Sequence, residues 1–392
     1  MRYILQIQTK CATIDYRHFA IYYAMEDIMN HIIRDFSLPA DPHTVILSPD
    51  FSALDNMYQG RTAYYGDFHV HSNSGGTSDG KTTPEEWLIE MKKQKIDFVG
   101  LMDHRQVRHQ YLDCFDPKYF LYGSEPAGLW HEPHLAFHYL MIFQDIGGLE
   151  RVLERFPDVF EFDGGVEGHF KYIRVDYDRF EEVKQAVLEE GGAFVHAHPM
   201  QQLISDNLED YDFGDGISME IIYACSANHK RWYLHTAQNY ELWMKLLAAG
   251  KKMPNTATSD AHGKPHNKGL NTVYAKEQHC AEFVRQLRAG DLNSGYMGIK
   301  MCIGNNPVGS TMKYEDGQQL LIKVEDAHPQ LFDEKEIYYL NIITDEGLAY
   351  SAPITFPFER AIEVKHRKFY RAEIMRQSDG FPAAIGNPIW ME

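Results

Sequence analysis

The sequence predicts an α/β fold carrying a parallel sheet, open or closed into a barrel, with an antiparallel β-domain behind it. Three observations predict this. From Tyr64 to about residue 294, short apolar runs alternate with helical patterns, the rhythm of strand-helix-strand units. After Gly295 the helical pattern stops, and QQLLIKVED, EIYYLNIITD and RAIEVKHRKFYRAEIMR follow as alternating segments separated by turn residues. The chain has 392 residues, 44% hydrophobic and 13% aromatic, enough for a packed domain of roughly 250 residues and a second of about 100.

In order along the chain, residues 1–60 read as a lead-in segment packing on the barrel. YILQI has the composition of a strand, and Tyr22, Met25, Met29, Ile32 and Ile33 fall on one face of a helix between His18 and Arg34. The α/β unit is expected over residues 61–294. YYGDFHVHS reads as its first strand, and TTPEEWLIEMKKQ as a helix with a threonine cap and Pro84 in its first turn. The runs DFVGLMD, YFLYGSE and LAFHYLMIF read as strands, and YDRFEEVKQAVLEEGG as a helix closed by a glycine pair. GAFVHAHP, GISMEIIY and NTATSDAHG are further strands, with ELWMKLLAAG a helix between the last two. Loops are expected over 105–118 and 144–175, and a small antiparallel sandwich over 295–392.

Composition narrows the function. Asp plus Glu outnumber Lys plus Arg by 56 to 38, a formal charge of −18 that disfavours non-specific nucleic-acid binding. A small anionic substrate stays compatible, because bound cations reverse the potential locally. Five scattered cysteines, with no CxxC, read as reduced thiols of a cytoplasmic protein. MRYILQIQTK holds too short an apolar run for a signal peptide, and no stretch approaches the roughly 20 apolar residues of a membrane helix.

The stretch GDFHVHSNSGGTSDG at 66–80 carries the chemistry. Residues i and i+2 of a strand share a face, so His69 and His71 present two imidazoles side by side, a pair able to chelate one divalent ion. Asp79 in the following loop is a third ligand or a turn carboxylate. Further donors fall at the ends of other apolar runs: Asp103 and His104 after FVGLM, Glu125 after FLYGS, His196 and His198 in FVHAHP, Asp260 and His262 in NTATSDAHG. His138 sits inside LAFHYLMIF. Ligands of α/β sheets and barrels assemble at the carboxyl ends of strands.

The order HxH, SDG, a strand ending DH, GxE, a strand histidine, AHP and SDAHG resembles the PHP (polymerase and histidinol phosphatase) superfamily over roughly residues 64–290. It is most similar to the branch of carbaryl-hydrolase-like and microcin-processing metallohydrolases, which also shows GDFHVHS and a C-terminal β-domain closing on a phrase like Asn387-Pro388-Ile389. The resemblance implies a distorted (β/α)7 barrel with a C-terminal β-sandwich-like domain, two or three divalent metal ions at the carboxyl face, and phosphoester hydrolysis. Carried over by position, it implies one ion on His69, His71, Glu125 and Asp260, and a second on Asp79, His104 and His262. A third falls on Glu125, His138 and His198, making Glu125 a bridge. The chain departs from the pattern in the first loop, where His71 and Asp79 stand eight residues apart and about three extra residues lie around Asn73 to Gly76.

Neighbouring residues have their own expected places. His131 and His134 in LWHEPH compete with His138 for the third group. His196 is read on one strand face with His198, as a hydrogen-bond partner of a ligand or, like His198, as a proton source for the leaving alkoxide. Asp103 is expected to point away and cap a turn, and Glu220 to orient a ligand. Arg105, His229, Lys230, Arg231 and Lys264 are candidate phosphate-binding donors.

Clustered divalent ions acidify water and hold both the attacking and the leaving oxygens, so no serine or cysteine nucleophile is required. No GxSxG elbow, P-loop or GxGxxG fingerprint competes. Six histidines with three carboxylates suit Zn, Mn or Fe, and not Mg alone. The expected function is a metal-dependent phosphoesterase acting on a phosphorylated small molecule. Amide, carbamate or peptide hydrolysis at the same centre is the alternative, and a non-catalytic metal-binding or ligand-sensing role is the third.

Overall fold

A computed structural model describes residues 39, 41–76, 78–104, 106–129, 136–162, 170–172, 177–203, 205–224 and 229–392. The expected strand YILQI, the expected helix between His18 and Arg34, Arg105, His131 and His134 lie outside the described residues.

Seven strands build the α/β unit. In chain order they are β1 (Thr62–Val70), β2 (Phe98–Leu101), β3 (Phe120–Ser124), β5 (Ala136–Phe143), β8 (Ala193–Ala197), β9 (Ser218–Tyr223) and β10 (Asn255–Thr258). The short β4 (Ala127–Leu129) pairs only with β5, and β6 (Phe160–Phe162) pairs with β7 (Phe170–Tyr172) apart from the rest. The order is β10-β9-β8-β5-β3-β2-β1, and a parallel bridge from Val70 to Ala261 joins the end of β1 to the residues after β10. Most neighbours are parallel, as the strand-helix rhythm implies, but β5 runs antiparallel to both β3 and β8. Residues 125–135 join β3 to β5, too few for a crossover helix, and the described part of that connection forms β4, which pairs antiparallel with β5.

Helices cover the sheet. Pro84–Gln94 opens with a capping box, in which Glu86 N donates to Thr83 Oγ1 and Thr83 N to Glu86 Oε2, and closes on left-handed Lys95. Tyr177–Glu189 matches its expected position. Two helices of ten residues were not anticipated. Ile146–Arg155 lies in the stretch read as loop, because Gly147 and Gly148 obscure its start, yet Asp145 caps it through Gly148 N. Cys280–Ala289 packs Phe283, Val284 and Leu287 against the sheet core. ELWMKLLAAG proves to be the end of a longer helix, His229–Ala248, whose run of twenty residues contains no Gly or Pro.

The C-terminal segment is β-rich as expected, and one of its sheets continues the sheet of the α/β unit. Strand β11 (Asn271–Ala275) lies antiparallel to β1, and β12 (Leu292–Gly295) carries the sheet across the expected boundary at 294/295. From β12 the same sheet continues through β21 (Pro382–Gly386), β20 (Phe369–Arg376), β17 (Tyr338–Thr344) and β18 (Gly347–Ile354). A second sheet of β13 (Met297–Ile303), β14 (Asn306–Pro307), β16 (Gln319–Ala327) and β19 (Phe358–Glu363) shares one core with this extension, through Met301, Ile322, Leu340 and Ile374. Short β15 (Thr311–Met312) pairs with β22 (Ile389–Met391). RAIEVKHRKFYRAEIMR thus holds two strands, β19 and β20, broken at Lys365–Lys368.

Buried Arg371 ties this extension to the long helix: Nη1 donates to Glu373 Oε2 at 2.8 Å, and Tyr240 OH donates to the same oxygen at 2.7 Å. The described lead-in residues touch both regions. Val45 bridges to Ile362 of β19, so residues near it lie on the C-terminal layer, while Leu54 and Tyr58 of the helix Ser52–Tyr58 contact both Tyr274 and Leu321. Cys114, Cys280 and Cys302 are free thiols. Among the described residues no helix is long and apolar enough to cross a membrane.

Candidate metal centre

The carboxyl end of β1 interlocks with the turn after β10. Asp67 Oδ1 accepts from His69 N at 3.0 Å and Oδ2 from Ser259 N at 2.9 Å. Burial pushes this carboxyl up to about 7. Asp260 N donates to His69 O (3.0 Å), and His71 N to Ala261 O (3.1 Å). Asp260 itself adopts a left-handed backbone, φ 44°. Gly269 presses on this turn so closely that a Cβ there would lie 2.1 Å from Ser259 N.

Four ligand atoms converge at this junction. His69 Nε2 lies 3.1 Å from His71 Nε2, 3.2 Å from Glu125 Oε2 and 3.4 Å from Asp260 Oδ1. His71 Nε2 lies 3.2 Å from Glu125 Oε2 and 3.0 Å from Asp260 Oδ1. A tetrahedral ion with bonds of about 2.0–2.1 Å has ligand-ligand edges of roughly 3.3 Å, so these spacings are those of a coordination shell. All four residues are buried.

The donor set fits a cation. His69 Nδ1 sits 2.9 Å from Glu220 Oε1, a contact that places the proton on Nδ1 and leaves the Nε2 lone pair facing inward. Burial works against protonation of His71, yet Asp260 and Glu125 outweigh it and pull this imidazole up to about 9. The same balance, with Glu125, Glu220 and Asp260 opposing burial, raises His69. The junction therefore demands positive charge where the four atoms meet.

Two further groups adjoin it. His71, Asp79, His104 and His262 form one, with His262 Nε2 at 3.3 Å and His104 Nε2 at 3.9 Å from Asp79 Oδ2. His104, Glu125 and His138 form the other. Glu125 Oε2 is 3.2 Å from His104 Nδ1, while Oε1 is 2.9 Å from His138 Nδ1 and 3.0 Å from His198 Nε2. Each carboxylate oxygen thus addresses a different set of imidazoles. Burial opposes ionisation of Glu125, but His69, His104 and His138 hold it well below the usual carboxylate range. Exposure rises outward, from nothing at His69 to half of the Asp79 side chain. The Asp79 loop is pinned on both flanks: Asn73 N donates to Thr82 O, Lys81 N to His262 O, and a Cβ on Gly80 would meet Ser72 O at 2.5 Å.

The nine expected ligands therefore come together, with His71, His104 and Glu125 each shared between groups and His198 completing the side toward His138. Other expectations change. His196 does not face the centre: its ring lies 4.3 Å from that of Phe213 and 5.9 Å from Phe137, on the helix-covered face. His198 parts from it because its backbone turns left-handed at φ 27°, held by Glu220 Oε2, which accepts from His198 N at 2.8 Å. Asp103 belongs to none of the three groups; its buried carboxylate accepts from Ser72 N and Ser74 Oγ of the first ligand loop. Glu220 orients His69 as expected. His229, Lys230 and Arg231 form the first turn of the helix His229–Ala248, and Lys264 is exposed beside a cavity of about 600 Å³ lined also by Glu90, Gln94 and His262. Tyr223 was missed. Its hydroxyl donates to Asp260 Oδ2 at 2.7 Å, and its place at the carboxyl end of β9 was the available signal.

Solved structures show partial likenesses. A protein from Bifidobacterium adolescentis described as a metal-dependent phosphoesterase matches 51% of this chain and 89% of its own, at 16% identity and a TM-score of 0.31. The lesion-specific endonuclease PfuEndoQ from Pyrococcus furiosus matches over 58% of this chain and 56% of its own, at 18% identity and a TM-score of 0.40. An amidohydrolase from Chromobacterium violaceum, with bound sulfate and no metal, covers 52% of this chain and 89% of its own, at 15% identity and a TM-score of 0.33. No family model and no curated protein matches the sequence.

Proposed function

We propose that this chain is a metal-dependent hydrolase that cleaves a phosphoester of a small molecule. The observation that carries the reading is the buried four-donor group and its two adjoining groups, which share His71 and Glu125. Imidazole and carboxylate in this ratio suit Zn, Mn or Fe. Ions held there supply acidified water and positive charge for the phosphoryl oxygens.

The chain's own residues do the rest. Glu220 fixes the His69 tautomer, and Tyr223 holds the outer oxygen of Asp260. His69, His71 and Glu125 exclude water from the inner side, where charge acts over a lower dielectric. Asp79, His104, His138 and His262 face the open side, so substrate enters there. Of the two histidines considered as proton source for the leaving alkoxide, His198 alone reaches the centre.

The test is a substrate panel with added Mn²⁺ or Zn²⁺ and a chelated control. Metal-dependent turnover of p-nitrophenyl phosphate is expected. Turnover of aryl carbamates alone would assign the centre to carbonyl chemistry instead, and turnover of neither would refute hydrolysis of both classes.

A further inference from the structure

Asp103 directly precedes the ligand His104 and is fully buried, yet it belongs to none of the three donor groups. A buried carboxylate is costly unless donors surround it. Here they come from the ligand loops. Ser72 N donates to Oδ1 at 2.6 Å, and Ser72 Oγ and Ser74 Oγ donate to Oδ2 at 2.6 and 2.7 Å. Buried His109 places Nδ1 3.2 Å from Oδ2. Ser124 Oγ donates to the backbone oxygen of Asp103 at 2.9 Å, and Gln106 Nε2 donates to Ser74 Oγ at 3.1 Å.

These partners are ordered with respect to the ligands. Ser72 follows His71, Ser124 precedes Glu125, Asp103 precedes His104, and Ser74 opens the loop that ends at Asp79. One residue therefore joins three strand ends and the loop carrying the most exposed ligand: its carboxylate holds Ser72 and Ser74, and its backbone oxygen holds Ser124. The inner group depends on it less, since Asp67 and the turn Thr258–Ala261 already fix His69, His71 and Asp260.

The geometry points to Asp103, backed by His109, as a positioning residue that sets the affinity of the outer group, His71, Asp79, His104 and His262, for its ion without touching that ion. This rests on the metal-centre reading above. Asp79 stands eight residues beyond His71, and Ser74 ties the intervening loop to Asp103.

The experiment strips the full chain with chelator and titrates it with Co²⁺, following visible absorption and calorimetry together. Absorption and calorimetry together resolve the successive binding steps, and His262→Ala, which removes a donor of the outer group alone, identifies the outer one. In Asp103→Asn the inner step should stay within about threefold of wild type, while the outer step weakens at least about tenfold, on the scale of a lost charge-assisted hydrogen bond. Ser74→Ala removes one loop contact and should weaken the outer step about threefold or more with an unchanged melting temperature. This second variant decides the matter if Asp103→Asn does not fold. Unchanged outer affinity, or equal weakening of both steps alongside a lower melting temperature, overturns the proposal. Wild-type protein that takes up no cobalt refutes the metal centre itself.

Discussion

Glu125→Gln is the most informative single change. The substitution keeps the side-chain volume and removes one negative charge from the point where five imidazole nitrogens meet, at 2.9–3.2 Å from its two oxygens. A unit charge about 4 Å from a cation is worth roughly 4 kcal/mol at an effective dielectric near 20. An amide oxygen recovers part of that, so metal affinity should fall at least about a hundredfold, and turnover by a similar factor. The thermal consequence follows. At a metal concentration of a thousand times Kd, one ion stabilises wild type by about 4 kcal/mol. Unfolding entropy of about 2.1 cal/mol/K per residue gives this chain roughly 0.8 kcal/mol/K, hence a rise of about 5 °C over the chelated protein. In Glu125→Gln the same metal concentration is only about ten times Kd, and the rise shrinks to about 2 °C. Melting scans with and without chelator, with elemental analysis and rate, measure all three. A wild-type rise, full metal content and near-wild-type turnover together would refute the bridging role.

Three further outcomes are expected. His196→Phe should leave metal content intact and rate within about threefold, with stability changed by less than about 1.5 kcal/mol as for a volume-conserving core swap, because burial keeps this imidazole neutral among aromatic rings. His198→Gln in the same assay should lose at least about a hundredfold in rate, and equal effects of the two would contradict the assignment of faces. Gly269→Ala should cost about 1–3 kcal/mol by overpacking and reduce bound metal through the displaced Ser259–Asp260 turn, as read by melting temperature and elemental analysis. The pH response has a defined sign. Burial lowers His71 but the carboxylates raise it to about 9 from 6.5, so its contribution to metal-free stability is full below about 6.5 and lost as pH rises through 9. Metal must displace that proton, so the metal-induced rise in melting temperature should grow from pH 6.5 to 9, and a flat or falling difference would count against the site.

Much of the centre was legible because strand-end donors come in short motifs. His69 and His71 share a face by period two, and each other ligand stands at or beside an apolar run whose end the sequence marks. What period two does not carry is direction of pairing and sheet continuity. LAFHYLMIF looks the same in either orientation, and only the short connection over residues 125–135 favours β5 running backward. The expected boundary at 294/295 reflected a real change of rhythm, but Leu292–Gly295 serves as a strand of both regions. Glycines hid the helix at Ile146, although its Asp145 cap was visible.

The deeper loss of legibility lies where the backbone breaks its own rule. By alternation, His198 should share the face of His196 and Phe194, against the helix Tyr177–Glu189, while His138 pairs with Ala197 on the other face. Left-handed backbone at His198 and at Asp260 redirects two of the proposed ligands, and these are two of only three non-glycine residues with positive φ among the described residues. Such conformations cost of order 1–3 kcal/mol each and persist only when neighbours over-determine them. Here the neighbours are identifiable: Glu220 Oε2 accepts from His198 N, and His69 O and Thr258 Oγ1 accept from Asp260 N. Glu220 thereby holds His69 by its ring and His198 by its backbone. The strain at His198 and the tautomer at His69 depend on one carboxylate, which makes the inner and the His138 sides of the centre a single coupled construction.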